Sequence, residues 1–309
     1  MRILIEIPTW LGDAVMATPA IENLINYYDE SDIVLIGSFL STEALKNHPK
    51  IYSSYAFSKE YSSLFRISKK LGEFDIFISF RGSFRSKFLK QLISSKVKYQ
   101  FNKNKYQDRH QVEKYNDFIN ETIGTSFAPG KLTIYPSLNQ KKINLKPTIG
   151  INPGASYGSS KRWQSEEFAK VAINLSDKFD ILIFGGVDEK NIAYDIEKLL
   201  IESNISNYEN LVGQTSIEEL IYYISALDMF VTGDSGPMHL AAAFEVPTVA
   251  IFGPTKHQET SQWMNDQSAI VTKELDCQPC MKRKCPLQHN NCMKLIKAND
   301  VLVSVKSLD

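Results

Sequence analysis

No apolar run in this chain approaches the ~20 residues that a membrane-spanning helix needs, so a helical membrane protein is not the reading of these 309 residues. The opening MRILIEIP lacks the charged start and long apolar stretch of a signal peptide; it reads as a buried strand and predicts a cytoplasmic location. Net charge is missing too. The 35 Lys and Arg balance 35 Asp and Glu, so no global field draws the chain to nucleic acid. Cysteine is scarce: four residues, all between Cys277 and Cys292, which argues against a disulfide-stapled fold. Two nucleotide signatures are lacking. No G-x-G-x-x-G follows the first strand, against an NAD-dependent enzyme, and no G-x-x-x-x-G-K-[ST] is present, against a P-loop. Internal repeats and low-complexity segments are absent, and no cofactor is implied.

What is present is an ordinary globular composition, 43% hydrophobic and 23% charged, with length enough for two cores. Short apolar runs alternate with helical patterns. Strands are predicted near Ile3–Ile7, Ile33–Ile36, Asp75–Phe80, Lys96–Tyr99 and Leu132–Ile134, then near Thr148–Asn152, Ile181–Phe184, Leu211–Val212, Met229–Val231 and Thr248–Phe252. Helices are predicted near Ala14–Tyr28, Thr42–Asn47, Ser58–Leu71, Ser83–Ile93 and Gln111–Thr122, then near Ser165–Asp177, Glu189–Glu202, Ser216–Ala226 and Pro237–Phe244. Continuous apolar strands separated by helices point to α/β domains with doubly wound parallel sheets. The polar stretch YPSLNQKKINLKP, with proline at each end, divides the chain into 1–140 and 141–309. Ligands of such sheets sit beyond the carboxyl ends of the strands, which would put a ligand in the cleft between the halves.

Three junctions carry candidate chemistry. In FVTGDSGPMHLAAA a strand runs into a Gly-rich turn and a small-residue helix. Ser235 can cap that helix, and its positive end makes a cradle for phosphate. His239 lies one turn in, as a packed residue or as part of the cradle. In PTWLGDAVMATPA, Asp13 stands where a helix begins. Two readings stand: an N-cap, or a carboxylate able to take a proton from a hydroxyl nucleophile. In NPGASYGSSKRW a loop rich in Gly and Ser ends on Lys161 and Arg162, whose hydroxyls, N–H groups and fixed charge suit a diphosphate. A basic patch runs from Arg81 to Arg109, nine Lys or Arg against the single acid Asp108. The cysteines, Cys277, Cys280, Cys285 and Cys292, are spaced C-x2-C-x4-C-x6-C with His289 inside. A structural zinc site, disulfides and free thiols all fit that spacing; no metal is assigned, and reducing conditions weigh against disulfides.

Taken in order and spacing, these three junctions, with PTVAIFGPT after the third, resemble glycosyltransferase family 9, the ADP-heptose:lipopolysaccharide heptosyltransferases. The run SFRSKF and the block CQPCMKRKCPLQHNNCM look more like the members that add the second heptose than those that add the first. The resemblance implies a GT-B fold, two Rossmann-like domains, with the acceptor bound by the first and ADP-heptose by the second. It implies inverting transfer without a catalytic metal. Asp13 would be the general base; Lys161, with Ser156 and Tyr157, would stabilise the departing diphosphate together with the N–H groups of Ser235 and Gly236. Asp234 and His239 match the nucleotide-side motif, Glu189 would hold the ribose, and the Gly213–Thr215 loop would border the adenine. Trp10, Gly12, Arg81, Arg85 and Lys87 would meet the anionic inner-core acceptor, which is built on lipid A. Outer lysines such as Lys103 and Lys105 would touch the anionic inner-membrane surface. Residues alone leave open a first-heptose enzyme, another sugar transferase of this fold, and a sugar-nucleotide binder without catalysis.

Overall fold

The computed structural model describes residues 1–58, 60–137 and 146–308. They form two compact units, one over Met1–Ser137 and one whose described residues begin at Lys146. The expected division at 140/141 lies outside the described residues.

In the first unit β1 (Arg2–Glu6) is followed by α1 (Leu11–Met16), α2 (Thr18–Tyr27), β2 (Asp32–Gly37), α3 (Phe39–Leu45), β3 (Ile51–Ala56), α4 (Tyr61–Leu71), β4 (Glu73–Ser79), α5 (Phe84–Leu92), β5 (Ser94–Gln100) and α6 (Gln111–Ile123). The strands make one parallel sheet in the order β3-β2-β1-β4-β5. Its centre is apolar on both faces, with Ile3, Leu4, Ile5, Phe77 and Ile78 fully buried. Leu4, Val34, Phe74 and Phe77 pack with Leu64, Ile67 and Leu71 of α4 and Leu89 of α5. Each such side chain contributes roughly 1.5–3 kcal/mol relative to exposure.

The second unit contains β6 (Thr148–Asn152), α7 (Ser165–Leu175), β7 (Asp180–Ile183), α8 (Lys190–Glu202), β8 (Tyr208–Asn210), α9 (Ile217–Ser225), β9 (Met229–Gly233), α10 (Gly236–Ala243), β10 (Thr248–Ile251), α11 (His257–Thr260), β11 (Ser268–Val271), α12 (Asn291–Lys294) and α13 (Ala298–Leu308). Its parallel sheet runs β11-β10-β9-β6-β7-β8. The core joins Ile149, Ile151, Val231 and Val249 to Phe168 of α7, Ile196 of α8 and Val301 of α13. Gly150 of β6 keeps the centre tight: a Cβ there would come within 2.5 Å of Leu227 and 2.7 Å of the Phe230 ring.

Both sheets begin in the middle and wind outward first one way and then the other. The direction changes between β1 and β4 in the first unit and between β6 and β9 in the second. The carboxyl ends of those strand pairs are where such sheets bind ligands, and they are where the three sequence junctions fall.

Several expected elements differ. Ala14–Tyr28 is two helices, broken at Ala17 just ahead of Pro19. Leu132–Ile134 is buried without pairing into a sheet; Thr133 gives its N–H to the Thr18 hydroxyl instead. The strand expected at Leu211–Val212 lies just before it, at Tyr208–Asn210. The edge strands β3 and β11 and the last helix, α13, had no counterpart in the sequence reading.

Candidate active site

The second unit gathers the strongest cluster. β6 ends at Asn152, whose side-chain amide donates to the Thr232 hydroxyl at 3.0 Å and to the Ser235 hydroxyl at 2.9 Å. This ties the end of β6 to the start of α10. Ser235 occupies the N-cap position, but its hydroxyl is turned to Asn152 and Thr232 and makes no bond to the helix, so the expected cap is not formed. The chain leaves β6 through Pro153 and Gly154 and a short 3₁₀ turn, Ser159–Lys161, that brings Lys161 back over the sheet edge. There Lys161 Nζ meets Asp234 Oδ2 at 2.5 Å, with the two side chains only 12% and 6% exposed. Thr255, from the turn after β10, donates to the same Asp234 oxygen at 2.5 Å. The ammonium also stands 4.7 Å from the centre of the Tyr157 ring. Lys161, Tyr157 and Asp234 are therefore brought together as the sequence implied, and Gly236 follows directly on the helix start.

Glu189 closes the site from below. It is buried, its carboxylate accepts the Gly186 N–H, and it fills the space under Gly154, where a Cβ would come within 2.3 Å of Glu189 Cδ. In this conformation it holds two loops together. His239 is buried inside α10, while Ser156 is exposed on the loop. Thr215 is half-buried between β8 and α9 and, among the described residues, no hydrogen bond joins it to this cluster.

In the first unit Asp13 is the third residue of α1, and Trp10 holds the N-cap position. The N-cap reading of Asp13 is therefore wrong; it is a first-turn carboxylate, favoured there by the helix dipole. Gly12 is buried beside it and Trp10 is exposed. Tyr115 of α6 faces Asp13: burial, then that carboxylate, hold its hydroxyl well above the usual tyrosine range.

The basic patch is less open than its composition implies. Arg81 Nη1 pairs with Glu6 Oε1 at 3.1 Å. Arg85 lies over the Phe57 ring and donates to the Ser58 carbonyl at 2.6 Å. Lys105 makes a surface ion pair with Glu121. Lys87 remains exposed. Glu6, at the end of β1, is the residue the sequence reading missed, although an acid inside ILIEI was its signal. It accepts from Ser79 at 2.6 Å and from Ser86, and it is almost fully buried. Burial raises its pKa above the ordinary glutamate value despite the opposing pull of Arg81, Ser79 and Ser86. Its contribution to stability is thus greatest at acid pH and fades as pH rises through that raised value. Glu6→Gln should accordingly gain in stability relative to the parent as pH goes from 4 to 8, read from denaturant midpoints; a flat difference would exclude the raised pKa.

Cys277, Cys280, Cys285 and Cys292 are all free thiols, so the disulfide reading does not hold. The geometry gives the zinc reading of Cys277, Cys280, Cys285 and Cys292 no support. Among the described residues, which include all four, no three His, Cys, Asp or Glu side chains are placed to hold a metal ion. The four thiols and His289 nonetheless line one small cavity. The thiols are near enough to feel one another. Burial, then the thiols of Cys280, Cys285 and Cys277, push Cys292 up to about 11. The Asn290 N–H, 3.4 Å from its sulfur, helps to lower Cys285.

Comparison with known proteins fits this geometry. The family model for glycosyltransferase family 9 (heptosyltransferase) matches residues 64–291. The chain belongs to that family. A lipooligosaccharide heptosyltransferase 2 of Campylobacter jejuni is 42% identical, over 100% of this chain and 98% of its own length. Among solved structures, a family 9 glycosyltransferase from Veillonella parvula superposes with a TM-score of 0.82 at 20% identity, covering 99% of this chain and 96% of that one. The ADP-heptose heptosyltransferase II of Escherichia coli gives 0.77 at 20% identity, covering 100% and 98%. The family 9 fold, two parallel-sheet α/β domains of GT-B type, is thus the fold of this glycosyltransferase.

Proposed function

We propose that this protein transfers heptose from ADP-heptose to the lipopolysaccharide inner core, adding the second heptose with inversion. The observation that carries the reading is the likeness to lipooligosaccharide heptosyltransferase 2 along the whole chain. The site residues support it. Asp13 removes the proton of the acceptor hydroxyl, whose oxygen attacks the anomeric carbon as the bond to ADP breaks. Lys161 meets the charge that develops on the departing diphosphate, and the first N–H groups of α10 add to it. Glu189 and the Gly213–Thr215 loop serve the ribose and adenine. The first unit binds the acceptor and the second the donor.

Contact with the anionic inner membrane belongs to the same proposal. No helix among the described residues is long and apolar enough to cross a membrane. Surface contact is favoured by Trp10, Phe39 and Phe84, which are 48%, 63% and 79% exposed in the segments just after β1, β2 and β4. Exposed rings, with the exposed cation of Lys87 on the same helix as Phe84, suit the interface between headgroups and acyl chains.

The deciding assay is ADP release from ADP-heptose, with EDTA present, on inner-core acceptors carrying no heptose or one. Turnover on the one-heptose acceptor alone is expected. Turnover on the heptose-free acceptor would make this a first-heptose enzyme, and ADP binding without turnover on either would point to another sugar or acceptor.

A further inference from the structure

The transfer chemistry leaves the cysteine-rich segment without a task, yet the segment is bonded to the loop that carries Lys161 and to the turn whose Thr255 holds Asp234. Three consecutive carbonyls face the loop after β6. Met281 O accepts from the Tyr157 hydroxyl at 2.8 Å, Lys282 O from the Ser160 hydroxyl at 2.5 Å and Arg283 O from the Ser160 N–H at 3.2 Å. Gly158 lies flat against the same strand of chain, where a Cβ would come within 2.3 Å of Arg283 O. Further contacts lead to the turn after β10: Gln278 Nε2 donates to Gly253 O at 2.6 Å and the Met281 N–H to Pro254 O at 2.8 Å. Thr255 of that turn is the residue that holds Asp234. So dense a set of bonds fixes the backbone at 281–283, and with it the root of each side chain.

Charge balance shows what that placement is for. Lys161 and Asp234 form a pair with no net charge. A nucleoside diphosphate brings at least two negative charges to this edge, and the pair offsets neither fully. Arg283 is a further cation close to that edge. Its guanidinium stands 5.2 Å from the centre of the Tyr157 ring, the same ring that Lys161 approaches to 4.7 Å. Among the described residues it makes no salt bridge, and its fork of N–H groups matches phosphate oxygens.

We propose that Arg283 is a second cation for the diphosphate of the sugar nucleotide, held at the rim of the site by the cysteine-rich segment. The proposal rests on the donor-site reading above. Arg283 is exposed, so its replacement should not disturb folding. The test is calorimetric binding of ADP and of AMP to the full-length protein and to Arg283→Gln, Arg283→Lys and Lys161→Ala. Arg283→Gln is expected to weaken ADP about tenfold, as for loss of one charge-assisted contact, and AMP by far less, with partial rescue by Arg283→Lys. Equal weakening of ADP and AMP would reduce the residue to a structural support and overturn the proposal. So would unchanged ADP affinity in Arg283→Gln while Lys161→Ala binds more weakly. If the parent protein fails to bind ADP at all, the donor-site reading itself falls.

Discussion

Asp13→Ala is expected to keep ADP affinity within about twofold and to lower kcat by roughly 10²–10⁴-fold, the usual contribution of a positioned general base. The structure sharpens this expectation by removing the simplest alternative. An N-cap carboxylate would bond to the first N–H groups of α1, and its loss would cost ~1 kcal/mol of stability. Trp10 holds that position instead, and Asp13 sits at the third residue, on the first turn, at the carboxyl end of the central strand β1. The dipole interaction of such a first-turn carboxylate is worth ~0.3–1 kcal/mol, too small on its own to alter turnover through unfolding. Asp13→Asn separates the two roles further. The amide keeps shape and hydrogen bonding but cannot take a proton, so it should be nearly as inactive as alanine while melting close to the parent. An asparagine variant with ordinary kcat would make Asp13 a helix-turn residue and nothing more.

Most strands that were legible in sequence share one physical feature, burial on both faces; the edge strand β5 is the exception. β1, β2, β4, β6, β9 and β10 are central or nearly so, and their continuous apolar runs announced them. The edge strands β3, β8 and β11 did not. Ile51–Ala56 carries Tyr and Ser in a half-exposed pattern, and Tyr208–Asn210 has only three residues. The opposite error, at Leu132–Ile134, arose because two buried apolar side chains report burial and say nothing about pairing. In the same way the loops at strand ends drew attention to Asp13 and Lys161, while Asp234 came from the family resemblance. Partners were not legible. Lys161 and Asp234 lie 73 residues apart, Asn152 and Thr232 80 apart, and only the order of strands β6 and β9 puts them side by side. The pairing inside the basic patch was hidden for that reason too: its composition was plain, but the buried Glu6 that pairs with Arg81 sits in a strand 75 residues earlier.

Lys161→Ala should lower kcat/KM about 10²–10³-fold, the effect of removing one preorganised charge from a developing anion, and it should weaken ADP binding. Because Lys161 is paired, the substitution also strands a carboxylate. Asp234 would keep the Thr255 hydroxyl but lose its cation in a site where its side chain is 6% exposed. Breaking such a buried pair costs on the order of 3–5 kcal/mol, so a fall in stability is expected together with the fall in activity. One variant therefore cannot tell a diphosphate ligand from a counterion that keeps Asp234 in place. The double variant Lys161→Ala, Asp234→Asn can. It removes the stranded charge and leaves an amide able to bond with Thr255, so stability should return toward the parent value. If Lys161 binds the diphosphate, ADP affinity and turnover stay low in the double variant although the fold has recovered. If both recover with stability, Lys161 acts only on Asp234, and the cation that meets the leaving group must be sought elsewhere on the same edge.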